Sequence, residues 1–177
     1  MLETERLVLR EWRPDDADSM FSIGQDPGVM RWLGPLMDRN DAQRLVDGQI
    51  LNQSLFGHCF WPVERRSDRA VLGFCGLNPL PAGTPLEGKI EIGWRLARYP
   101  WGHGYAREAA EASLAWGFAH LSDPAIWATT VLANTRSWGL MERLGMTRQP
   151  HLDFDWPDYA VEDPLCPHIV YRADGPR

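Results

Sequence analysis

Apolar and polar positions alternate most clearly in IEIGWRL, where Ile90, Ile92, Trp94 and Leu96 fall on one side of an extended chain and Glu91, Gly93 and Arg95 on the other. This period of two predicts a half-buried strand, stopped before Pro100. From Ala106 the period changes: Ala106, Ala110, Leu114, Gly117, Phe118 and Leu121 recur at steps of three and four while Arg107, Glu108 and Glu111 fall elsewhere, which predicts a helix with one buried stripe. Upstream, LVLREW near Leu7 predicts a first strand, and Pro14 and Asp15 signal a helix that turns Ala17, Met20, Phe21 and Ile23 inward. DPGVMRWLGPLMDRND is punctuated by Pro27, Gly28, Gly34 and Pro35 and predicts a loop or short turns, followed by a helix over residues 39–55. HCFWPVERR and AVLGFCGLNPL predict an antiparallel hairpin around a charged turn at residues 66–69, and NPLPAGTPLEG a loop.

Downstream, AIWATTVLA predicts a further strand, and NTRSWGLMERLG a short helix with Leu140, Met141 and Leu144 inward and Gly145 as its stop. MTRQP resumes an extended chain, the proline-broken HLDFDWPDYAVEDPLCP follows, and HIVYR predicts a last strand. This order of hairpin, strand, helix, strand, helix and strand predicts a mixed α/β or α+β fold, with helices on the faces of one sheet and a ligand where strands diverge at their carboxyl ends. Without repeats or linkers, residues 1–177 are expected to form one domain.

Between the central strand and its helix lies WGHGYA. Gly102 and Gly104 admit dihedrals that side chains oppose, and the first four amides of a helix lack internal partners. Together with the helix dipole they make either a phosphate cradle or a plain connector. A dinucleotide fingerprint would need Gly or Ala where Arg107 stands, and a P-loop would need a lysine that is absent.

A formal net charge of -6 argues against nucleic acid or an anionic membrane as partner and favours a cationic second substrate such as an amine. Hydrophobic residues at 44% and charged residues at 24% are ordinary for a globular chain, while nine tryptophans add large apolar surfaces. Cys59, Cys75 and Cys166 make no CxxC pair, and His58, His103, His120, His151 and His168 have no metal-ligand spacing, so reduced thiols and no metal are expected. The charged start MLETERLVLREW is unlike a secretory signal and no apolar run is long enough to span a bilayer, which points to the cytoplasm. A homodimer is one assembly open to such a chain.

In order and spacing, ETERLVLREWRPDDAD, IEIGWRL, WGHGYA, AREAAEASLAWGF and ANTRSWGLMERLGM resemble the GNAT superfamily of acyl-CoA-dependent N-acyltransferases over essentially the whole chain. They are most similar to the branch of ribosomal-protein N-terminal acetyltransferases. The resemblance implies a mixed, mostly antiparallel central sheet of about six to seven strands, helices on both faces and splayed central parallel strands. The family signature marks Trp101, Gly104 and Ala106, with Trp101 departing from the usual Gln or Arg. By this likeness the amides of Gly102, His103, Gly104, Tyr105, Ala106 and Arg107 hold the pyrophosphate of acetyl-CoA, and pantetheine lies between IEIGWRL and IWATTVL, bonded to main chain near Trp94 and Leu96. Asn134 matches the asparagine that contacts the pantetheine arm, a helix N-cap being its plain alternative, and Arg136 is a candidate for a cofactor phosphate.

Acetyl transfer needs a neutral amine, an oxyanion donor and a hydrogen bond to the departing thiolate. Met141 stands where many family members carry a tyrosine acid, and the likeness offers Ser137 in its stead. Glu91 is the candidate base, acting through water, and a salt bridge to Arg95 on the same strand face is its competing role. The oxyanion would meet a backbone amide of that strand. The implied reaction moves an acetyl group to a primary amine, a protein N-terminus or a small molecule, by direct attack in a ternary complex. Trp32, Phe56, Trp61, Phe154 and Trp156 are candidates for the acceptor pocket, with Asp153 or Asp155 attracting a cation. A non-catalytic acyl-CoA-binding module, suggested by Met141, and a dinucleotide-dependent oxidoreductase are the alternatives.

Overall fold

A computed structural model describes residues 1–175. Along the chain run β1 (Leu2–Glu3), β2 (Leu7–Leu9), α1 (Asp16–Gly24), α2 (Pro27–Met30), α3 (Arg39–Phe56), β3 (Phe60–Arg65), β4 (Val71–Pro79) and β5 (Ile90–Leu96). After these come α4 (Tyr105–His120), β6 (Ala125–Val131), α5 (Thr135–Arg143), β7 (Thr147–Arg148), a 3-10 turn at Pro150–Leu152, β8 (Phe154–Asp155) and β9 (Pro167–Asp174). One nine-stranded sheet has the order β1-β2-β3-β4-β5-β6-β9-β7, with β8 also on β9. Every pairing is antiparallel except β5 with β6.

The mostly antiparallel mixed sheet agrees with expectation, but its strand number does not. The extra strands β1, β7 and β8 are two residues each, too short to show an alternation in sequence. The stretch read as loop or turns contains α2, whose first turn is held by the Asp26 carboxylate accepting from Gly28 N at 2.7 Å, with Pro27 pre-set for a helix start. Helix α3 opens with a full capping box between Asp38 and Asp41, which accounts for its boundary at Arg39.

Register fixes the two faces of the sheet. Cys75 pairs with Trp94 and Leu77 with Ile92, while Asn78, Gly76 and Phe74 face Glu91, Gly93 and Arg95. Helix α4 covers the first face: Ser113 Oγ lies against Cys75 Sγ, and Gly117 sits so close to Leu77 and Ile126 that a Cβ would fall 2.7 Å from either. Helices α1 and α3 cover the second, where Asn78 is bonded by Gln49 and Asn52 of α3. Leu7, Leu9, Val63, Leu72, Leu77, Ala109 and Ala110 are fully buried between these layers.

One charged cluster lies inside. Arg10 donates to both Asp16 oxygens at 2.8 and 2.7 Å and to Glu64 Oε2 at 2.7 Å, and Glu64 also meets Arg69 at 2.7 Å. It joins the chain after β2 to the start of α1 and to β3, with each member of the trio under a tenth exposed. Arg10→Met leaves two buried carboxylates short of their cation, and a urea melt is expected to show a loss of about 3–5 kcal/mol, whereas Arg39→Met, at an exposed pair, changes it by less than about 1 kcal/mol.

Candidate functional site

Strands β5 and β6 share one register pair, Glu91 with Trp127, and beyond it they part toward their carboxyl ends. By contrast β5 pairs with β4 over seven positions and β6 with β9 over seven, so each wall of the gap is a rigid half-sheet. Main-chain groups facing the gap have no ladder partner there and are available to a ligand.

At the wide end lies the glycine turn. Gly102 and Gly104 have φ of 82° and 83°, in the left-handed region, and Gly104 is the N-cap of α4. Among the described residues the amides of residues 102–107 find no hydrogen-bond acceptor, the first engaged amide being Glu108 N on Gly104 O at 3.0 Å. Six successive donors at the positive end of a long helix form an anion cradle. Arg107 turns its side chain away to Glu111 at 2.8 Å, leaving its amide clear.

Two arginines frame the turn. Arg6 donates to His103 O at 2.9 Å and to Glu108 Oε2 at 2.7 Å, stacks over Tyr105 at 4.5 Å, and shares Glu108 with Thr4 at 2.6 Å. Arg6 and Glu108 border an open hollow of about 500 Å³ with Glu5, Gly104, Arg107 and Glu111. On the other side Arg136 of α5 lies 4.7 Å over the Trp101 ring, whose Nε1 donates to Leu96 O at 3.1 Å. Trp101 therefore ties the turn to the end of β5 and seats a cation beside it. Arg6 and the Trp101–Arg136 stack were not read from sequence, because partners 102 and 35 positions apart leave no local pattern.

Across the gap, Asn134 Nδ2 donates to Thr130 Oγ1 at 3.1 Å and makes no side-chain cap, so the plain N-cap role is not realised. Its carbonyl accepts from Ser137 N at 3.0 Å. The Ser137 hydroxyl makes no hydrogen bond among the described residues, unlike Ser113, which bonds back to Ala109 O at 2.8 Å. Met141, 1% exposed, is a core residue.

Glu91 stands on the opposite face from α4, beside Asn78 and Trp127 in register, and has no hydrogen-bond or ion-pair partner among the described residues. Burial pushes its carboxyl up to about 8 while some of the residue stays accessible. The expected salt bridge to Arg95 is not formed. Arg95 instead reaches Met37 Sδ at 3.1 Å and lies 5.3 Å over Phe74, and burial lowers it to about 10. Two side chains four positions apart on an extended strand start ~13 Å apart, too far to meet without folding back.

The aromatic candidates for an acceptor wall are dispersed. Trp61 packs edge-on against Trp116 of α4 and donates its Nε1 to Gln53 of α3 at 2.8 Å, and Phe56, the last residue of α3, lies beside His58. Phe154 and Trp156 flank His168 at 5.7 and 4.8 Å, while Trp32 is covered by Arg31. Asp153 is already paired with Arg148 and unavailable as a free anion, whereas Asp155 is exposed. No group of three or more His, Cys, Asp or Glu side chains placed to hold a metal ion, and no helix long and apolar enough to cross a membrane, occurs among the described residues.

The sequence model of the acetyltransferase (GNAT) domain matches residues 6–147. The chain belongs to the GNAT acetyltransferase family. The uncharacterized N-acetyltransferase p20 of Bacillus licheniformis is 33% identical over 153 residues, spanning 84% of this chain and 83% of that protein. The crystal structure of a GNAT-family acetyltransferase from Bacillus anthracis superposes with a TM-score of 0.80 at 23% identity, covering 98% of this chain and 97% of that one. A candidate ribosomal-protein-serine acetyltransferase of Vibrio cholerae gives a TM-score of 0.76 at 18% identity, covering 98% and 96%. At such identities these two structures show a common fold. GNAT membership displaces the dinucleotide-dependent alternative, consistent with Arg107 at the third fingerprint position.

Gly104→Val places a β-branched residue at φ 83°, a strain of about 1–3 kcal/mol that thermal unfolding will register. Titration calorimetry is expected to show acetyl-CoA affinity reduced by about tenfold or more in the same variant, because the cradle amides turn with the backbone.

Proposed function

We propose that this GNAT protein is an acetyl-CoA-dependent N-acetyltransferase that acetylates a primary amine by direct attack in a ternary complex. The row of six unengaged amides at the head of α4, opening onto the gap between β5 and β6, carries the reading. Acetyl-CoA supplies the activated acetyl thioester. The amides of Gly102, His103, Gly104, Tyr105, Ala106 and Arg107 hold its pyrophosphate, with Arg136 held by Trp101 beside a phosphate. Main chain near Trp94 and Leu96 holds pantetheine in the manner of an added strand, with Asn134 facing it from α5.

Glu91 takes the proton of the amine through water. A carboxyl poised at about 8 is a stronger base than an ordinary one and is matched to an ammonium near neutral pH. A backbone amide of β5 meets the developing oxyanion. Ser137, whose hydroxyl has no other engagement, donates to the departing sulfur in place of the phenol that Met141 lacks. The likeness to ribosomal-protein N-terminal acetyltransferases supports a peptide N-terminus as one acceptor class, and a small-molecule amine is the other.

Thiol release from acetyl-CoA against a panel of amines and N-terminal peptides tests the reading, and release dependent on one acceptor is the expected result. Acetyl-CoA binding without release under any acceptor identifies a non-catalytic binding module instead. Glu91→Gln is expected to lower kcat about hundredfold and to abolish the rise of kcat/KM as pH increases through about 8. Its effect on stability has the opposite sense. A carboxyl raised from 4.5 to about 8 contributes most to stability below pH 4.5 and loses that contribution as pH rises through 8, so the melting point of Glu91→Gln gains on wild type across this window. Ser137→Ala is expected to lower kcat about tenfold with acetyl-CoA affinity unchanged, and equal turnover in the two proteins removes the serine from the mechanism.

A further inference from the structure

Arg95 is a half-buried cation without an anion among the described residues. Its Nε is enclosed and has no hydrogen-bond partner, its Nη1 meets only the weakly accepting sulfur of Met37, and no carboxylate lies within ion-pair reach among the described residues. A buried charge left in this state costs stability. Arg172 also has an enclosed Nε without a partner, but its Nη2 meets Asp174 at 2.5 Å, and Arg10 is given two carboxylates and a carbonyl. The difference lies in position. Arg10 is remote from the gap, whereas Arg95 shares one face of β5 with Glu91 and Gly93, the face turned away from α4 and the cofactor turn.

That face therefore carries an unpaired carboxylate at one end and an unpaired guanidinium at the other. A guanidinium donates through planar N–H groups that match a carboxylate or phosphate oxygen, and such charge-assisted bonds are about twice as strong as neutral ones. Nη2 of Arg95, which is not enclosed and has no acceptor among the described residues, is the donor left for it. Met37 and Phe74 hold the guanidinium on its remaining sides. We propose that Arg95 recognises a compact oxyanion on the acceptor, so that the molecule acetylated carries a carboxylate or phosphate as well as the amine delivered to Glu91. The proposal rests on the acetyltransferase reading above and names the acceptor class. Glu91 and Arg95 begin ~13 Å apart on the strand, so the two acceptor charges are separated by several bonds.

Thiol release measured with acetyl-CoA and ω-amino acids from glycine to 6-aminohexanoate, with O-phosphoethanolamine, and with the n-alkylamine of matching length for each, tests this. Expected is a kcat/KM for an oxyanion-bearing amine about ten- to hundredfold above its alkylamine counterpart. Whether a carboxylate or the phosphate member leads identifies the oxyanion. Arg95→Met raises KM for the favoured acceptor by that factor and removes the selectivity, with KM for acetyl-CoA at its wild-type value, and Arg95→Lys restores part of it. Equal rates with alkylamines, or no turnover of any oxyanion-bearing member by wild-type protein that binds acetyl-CoA, overturns the proposal, and both comparisons stand even where Arg95→Met does not fold. Failure to bind acetyl-CoA in calorimetry overturns the acetyltransferase reading and this proposal with it.

Discussion

Everything in this fold is arranged around an incomplete ladder. Two parallel neighbours that pair only at Glu91 and Trp127 leave a wedge in the middle of a continuous sheet, and a sheet tolerates such a wedge only when each side is fixed by its other neighbour. Here β4 holds β5 and β9 holds β6 along their full lengths. The wedge is thus a rigid opening whose exposed main-chain groups are complementary to an extended chain rather than to water alone. The glycine turn continues the wedge outward, converting main-chain donors of a strand into main-chain donors of a helix end.

The sheet also separates two kinds of chemistry. On the α4 side the polar groups are the turn amides, the Asn134 amide and the Ser137 hydroxyl, with Arg6 and Arg136 framing the turn. On the α1 and α3 side are Glu91 and Arg95, both ionisable, both shifted by burial toward their neutral forms, and unpaired with each other. The two faces of β5 thus present different chemistry to the wedge.

Sequence made much of this legible where the pattern is local. The alternation in IEIGWRL, the stripe from Ala106, the hairpin and the start of α3 each need only a dozen consecutive residues to be seen, and the glycine spacing in WGHGYA marks the turn directly. Reading failed where information is distributed. A two-residue strand has no period, so β1, β7 and β8 were invisible. The packing of Trp61 against Trp116 was equally hidden, because strand parity does not say which face a helix will cover. An Arg95 partner on the same strand looked reasonable by spacing alone, yet desolvation and the length of an extended strand leave both charges single. Asp153 looked like a free anion because its partner Arg148 lies five positions upstream across a 3-10 turn.

The clamp between Arg6 and Glu108 has a kinetic meaning as well. It closes a loop of 102 residues, so the geometry of the glycine turn, local as it is in sequence, depends on one of the longest-range contacts in the molecule. The α4 helix and its hairpin neighbours have close-range reasons to form early, whereas the edge strand that steadies the turn docks only after the entropy of this long closure is met. A nascent chain would possess the residues of the turn well before it possessed the turn's geometry, which in this order of closure is completed only when the amino-terminal edge docks.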